Sequence, residues 1–228
     1  MMSAQDRLAY SVCHGWRGVQ APTVVECPPS ISYPPPPDPV DILFVGWNPP
    51  GTRSFWDGPG DELHDNLNWV FGELGWSRGQ DFREDFLSRG CYLVHAVKCW
   101  GDPSWPSPDA TRRCAPLLAA DITRLRPRAI CLLGRRPHLG AVSPRGDGTS
   151  PVIPGLPRAS SAFRYGRGWC GVLNGRKVII TTFANRRWNQ TEAKENRECI
   201  VAAAQGALNS RIRDLRRTEA STTSAVSA

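Results

Sequence analysis

The sequence predicts an α/β protein: a three-layer sandwich in which helices cover both faces of a central four-stranded parallel sheet. Three observations carry that reading. Four short apolar runs recur along the chain, DILFVG (41–46), CYLVHAV (91–97), RAICLLG (128–134) and KVIITTF (177–183). Segments of helical periodicity separate them, the arrangement that gives parallel strands with crossover helices. The residues with chemical potential also cluster just after those runs, where ligands bind in sheets of this kind.

Each element has a local reason. An amphipathic stretch at about 4–14 leads into CPPSISYPPPPDPV (27–40), a Pro-rich connector that suits neither helix nor central strand. Together these form an N-terminal part, 1–40. The α/β domain is expected over 41–217, and 218–228 as a disordered tail ending in STTSAVSA. After the first strand a helix is expected over 61–75, where Leu63, Leu67, Val70, Phe71 and Leu74 share one face. Ser107-Pro108-Asp109 reads as an N-cap, a first-turn Pro and a first-turn acid, opening a helix to about 126 that Pro116 kinks or divides. A helix follows the third strand, and a last one is expected over 190–215.

Composition narrows the function classes. The chain has 228 residues, enough for one well-cored α/β domain. No apolar run is long enough to cross a bilayer, and MMSAQDRLAY lacks a signal peptide's apolar segment, so a cytoplasmic location is expected. Lys and Arg number 28 against 21 Asp and Glu, which favours an anionic partner. Eight cysteines in such a compartment point to buried thiols or metal ligands rather than disulfides.

At the end of the first strand stands FVGWNPPGTRSF (44–55), a glycine-bracketed, proline-stiffened shelf that carries Asn48. VGWNPPG resembles the first motif of the mismatch-specific uracil/thymine glycosylases. HAVKCW, CAPLL and RPRAICLLG resemble the iron–sulfur class of the uracil-DNA glycosylase superfamily. The four segments occur in the family's order over roughly 41–190. The resemblance implies a monofunctional DNA-repair glycosylase that flips a deaminated base, uracil being the first expectation, and hydrolyses its N-glycosidic bond; a monomer is expected. Its partner would be DNA containing the damaged base, with no membrane involved.

The resemblance also assigns residues. Asn48 would position the attacking water, and His95, at the place of the base-reading Asn, would donate to a base carbonyl or stabilise the leaving anion. An imidazole there can change charge near neutral pH. Gly46, Trp47, Phe55 and Asn185 join His95 in the base pocket, with Phe55 as the stacking ring and Trp56 its competitor. Lys98, Arg186 and Arg187 are read as DNA contacts. Arg145, Arg158, Arg164 and Arg167 of the 144–172 loop add positive charge. Cys99 and Cys114 match two of the family's cluster ligands. Its other two come from an N-terminal Cys-x-x-Cys that is absent here, so Cys13 and Cys27 are the available substitutes that would complete a 4Fe–4S cluster, with zinc or no metal as alternatives. Cys131 is expected in the core.

Besides the missing Cys-x-x-Cys, the sequence departs from the family at three places. Trp47 replaces the Glu of the iron–sulfur class, which leaves water activation to Asn48. His95 replaces the base-reading Asn, and FANRRWN (183–189) stands where the family has His-Pro-Ser or Asn-Pro-Ser. Two other readings therefore stay open: a catalytically impaired damaged-DNA binder, and a protein acting on a free nucleoside or nucleotide.

Overall fold

A computed structural model describes residues 33–48, 55–72, 75–76, 81–98, 108–145, 150–162, 169–182, 198–202 and 204–205. Strands β1 (Ile42–Gly46), β2 (Cys91–His95) and β3 (Ala129–Leu133) are buried at every residue. Both their faces must therefore be covered, which is why they read as unbroken apolar runs instead of alternating ones. A fourth parallel strand, β5 (Arg176–Thr181), follows β4 (Trp169–Leu173). The sheet order is β2-β1-β3-β5-β4, with only β4 antiparallel.

Among the described residues the sheet thus has five strands rather than four, the four parallel ones and an antiparallel edge. The extra strand begins inside the stretch expected to be a basic loop, 144–172, and ends one residue beyond it. Asn174 and Gly175 adopt positive φ values of 51° and 75°, the backbone a tight hairpin needs. They fold Trp169–Leu173 back along β5 as a half-exposed edge.

Helices flank the sheet. On the aromatic side, α1 (Glu62–Gly72) buries Leu63, Leu67, Val70 and Phe71, all on the expected face. Its first turn is capped by the Asp61 carboxylate, which accepts from His64 N–H at 2.8 Å. No sequence pattern foretells α2 (Phe82–Ser88), a short helix that inserts Phe82 and Phe86 and packs on β2. Phe44 of β1 meets Phe71 and Phe86 there at ring-centroid distances of 5.8 and 5.4 Å.

The helix expected from Ser107 to about 126, kinked or divided at Pro116, is divided into α3 (Pro108–Arg113) and α4 (Ala115–Leu125). Cys114 is the N-cap between them, and Pro116 sits in the first turn of α4, where its missing N–H costs nothing. Behind β3 comes α5 (Arg135–Val142), packed on β3, α3 and α4, followed by a single turn, α6 (Ala159–Ala162). Residues 198–202 and 204–205 are helical within the expected last helix, and Ile200 and Ala204 reach the core. The expected N-terminal amphipathic stretch, connector residues 27–32 and the tail lie outside the described residues.

Candidate active site

The chain leaves β1 for β2 on one side, then crosses to β3 on the other. The crevice at such a reversal lies beyond the C-terminal ends of the strands, here those of β1 and β3. Gly46, Trp47 and Asn48 leave β1 at this point. Trp47 is fixed at its carbonyl, which accepts from Val97 N–H at 2.8 Å, and at its ring, which carries the Arg136 guanidinium 5.2 Å from the centroid. Arg136, from the first turn of α5, thereby closes the β3 side of the crevice. Asn48 is half-buried just outside the sheet.

His95 ends β2 in direct register with Gly46. A Cβ built on Gly46 would lie 3.2 Å from His95 Cδ2 and 3.6 Å from Nε2, so the glycine makes room for the imidazole edge. The ring is 1% exposed, and its Nδ1 lies 2.9 Å from the Tyr33 hydroxyl. Burial, reinforced by the nearby Lys98 ammonium, lowers its pKa to about 3. The expected change of charge near neutrality therefore does not occur: His95 is a neutral imidazole, suited to donating or accepting a hydrogen bond.

Lys98 makes an ion pair with the Asp121 carboxylate of α4, and its ammonium lies 5.8 Å from the Tyr33 ring centroid. Its side chain is 11% exposed, so the expected phosphate contact is instead an internal tie between the end of β2 and α4. Phe55 also departs from expectation. It opens a 3-10 turn and is fully buried, its ring against Trp56, His64, Phe82 and Phe86. The competing Trp56 is buried too and donates to the Leu93 carbonyl. Both rings are part of the aromatic core. His64 and His138 are packed residues, His138 Nε2 lying 2.8 Å from the Pro157 carbonyl. Arg145 is exposed, as a basic loop residue is expected to be, and its guanidinium donates to the Val152 carbonyl within the loop.

Asn185, Arg186, Arg187, Cys13, Cys27 and Cys99 lie outside the described residues. Cys114 is buried as the N-cap residue of α4. Among the described residues no three potential ligands are grouped. Cys131 lies in the core as expected, where burial pushes its thiol pKa up.

Two residues of the site were not anticipated from the sequence. Arg136 follows the third strand's glycine, a position the topology itself marks. Tyr33 is the lone aromatic of the Pro-rich connector, which was the one available signal.

The fold defines an α/β protein whose mostly parallel sheet reverses its strand order at β1, with the candidate site beyond that point. The sequence matches the Uracil DNA glycosylase superfamily over residues 34–206, most of the chain, and the protein belongs to that superfamily. A comparison with curated proteins finds no match. No helix among the described residues is long and apolar enough to cross a membrane.

Proposed function

We propose that this protein is a monofunctional DNA glycosylase that removes a deaminated base, uracil foremost, from DNA. The observation that carries the reading is the pairing of Gly46 with His95 at the switch-point crevice, one residue before Trp47-Asn48, in a chain of this superfamily.

The reaction breaks the bond between C1′ of deoxyribose and the base nitrogen through an oxocarbenium-like sugar, while negative charge gathers on the base. The base must first leave the stack and enter the protein. Neutral His95 supplies a donor to a base carbonyl or to the leaving anion. Asn48, through its amide carbonyl, holds the water whose oxygen bonds to C1′ as the C1′–N bond breaks, and the proton that the water gives up ends on the departing base anion. Trp47, held by Arg136, walls the crevice, and Arg186 and Arg187 meet backbone phosphates.

Cys13, Cys27, Cys99 and Cys114 would hold a 4Fe–4S cluster as thiolates, and when bound it would tie the N-terminal segment to the sheet. It has no part in breaking the glycosidic bond.

The test is a labelled oligonucleotide panel carrying uracil, hypoxanthine, xanthine or ethenocytosine, incubated with protein and then cleaved with alkali. Alkali-labile strands at one of these bases support the reading. Tight binding without abasic product identifies a damaged-DNA binder instead. Absence of DNA affinity points to a free nucleoside or nucleotide.

A further inference from the structure

His95 is useful in the crevice only if its hydrogen sits on the correct nitrogen. A neutral imidazole has one N–H, and the bond made by one nitrogen decides where it lies. Nδ1 faces the Tyr33 hydroxyl at 2.9 Å, while the Cδ2–Nε2 edge lies across Gly46. The phenol is held firmly. Tyr33 begins the run Tyr33-Pro34-Pro35-Pro36-Pro37, whose backbone is stiff. The fully buried Tyr92 donates its hydroxyl to the Pro34 carbonyl at 2.7 Å and pins the run beside β2. The Lys98 ammonium lies over the Tyr33 ring, which draws electron density from the phenol and makes its O–H the better donor.

We propose that Tyr33 is a positioning residue: its hydroxyl donates to Nδ1 of His95, fixes the Nε2–H tautomer and aims that hydrogen across Gly46 into the crevice. The connector thus supplies part of the site from outside the sheet. The groups facing His95 are Tyr33 from the connector, Lys98 beyond β2, Gly46 of β1 and, beside Gly46, Leu63 of α1. Among these described neighbours the only charged group is the Lys98 ammonium, which itself opposes protonation of the ring. Lowered basicity from burial agrees with a ring that stays neutral and keeps one tautomer. The proposal's catalytic consequence rests on the glycosylase reading, whereas the tautomer does not.

The experiment is nitrogen NMR on the full-length protein labelled at histidine with ¹⁵N, His95 being assigned from the spectrum of His95→Gln. The expected result is an acceptor-type Nδ1 and a hydrogen-bearing Nε2, unchanged across the range in which a free imidazole titrates. Tyr33→Phe, which keeps the ring but removes the hydroxyl, should mix or invert the tautomers. On a base that the protein excises, it should slow single-turnover release roughly tenfold or more, with substrate affinity retained, the scale of a misplaced proton donor. A hydrogen-bearing Nδ1 in the native protein overturns the proposal, as does an unchanged tautomer in Tyr33→Phe. If no base is released by either protein, the glycosylase reading fails, and the tautomer spectra still decide the role of Tyr33.

Discussion

Asn48→Ala should slow base release about 10²-fold or more, the usual scale for loss of a positioned catalytic group, while DNA affinity survives. Single-turnover rates with the excised base, beside binding curves, make the check, and an unchanged rate removes Asn48 from the mechanism. His95 makes a second expectation with a definite sign. Its folded pKa, about 3, is lower than the unfolded value near 6.5, so the unfolded chain binds the proton more readily. Its contribution to stability is therefore complete above about pH 6.5 and is lost progressively as pH falls toward 3, at up to about 1.4 kcal/mol per pH unit. Urea midpoints across that range should decline more steeply for the native protein than for His95→Gln, and parallel slopes would contradict the assignment. Gly46→Ala should displace the imidazole by a few tenths of an ångström, since the new methyl would lie 3.2 Å from Cδ2. Base release should suffer more than melting temperature. The residue scale is only partly readable in the sequence. Gly46, Trp47, Asn48 and His95 stand at strand ends, which periodicity alone locates. The burial of Phe55 and the Lys98–Asp121 pair depend on neighbours distant in sequence, which no local pattern reports.

Among the elements, β1, β2, β3, β5 and α1 are legible because each announces itself by an apolar run or a helical stripe. The short helix α2 is not, since seven residues with two buried phenylalanines make too brief a stripe to stand out. The hairpin of β4 does carry a local signal, Asn-Gly between strand-like runs, which is among the strongest short turn signals. The arginines around it mask that signal, because they give the stretch the composition of a basic loop. Gly175 bears a prediction at this scale. Its φ is +75° and nothing lies within 4 Å of a Cβ built there, so Gly175→Ala would meet no clash. The cost should be conformational alone, about 1 kcal/mol. A drop in the denaturation midpoint of that size, with base release unaltered, is expected; a larger loss would mean that the edge strand is tied to the site.

For the molecule as a whole, the excess of 28 basic over 21 acidic side chains should appear as salt-dependent DNA binding. Replacing Arg186 and Arg187 with Ala should weaken binding alike across sequences and flatten the salt slope by roughly one unit for each phosphate no longer neutralised. An unaltered slope would return both arginines to the solvated surface. A bound cluster should give brown protein when purified without oxygen, with iron in stoichiometric amount. Cys13→Ala or Cys27→Ala should then lose iron and stability together. Colourless, folded and active protein would leave Cys114 as a buried helix cap and nothing more.

The strand order has a kinetic consequence. The groups that meet at the crevice come from five separated stretches: Tyr33 of the connector, Gly46 at the end of β1, His95 of β2, Asp121 of α4 behind Lys98, and Arg136 of α5. β1 sits between two strands that are both synthesised long after it, so its ladders close only through long loops. Such pairings are slow to form and come late. Until β3 docks, the crevice has no second wall, and until the connector lies down the imidazole has no partner at Nδ1. If the glycosylase reading holds, base release should therefore return on refolding with the slowest phase of sheet assembly, because a half-folded chain has neither the second wall of the crevice nor a fixed imidazole.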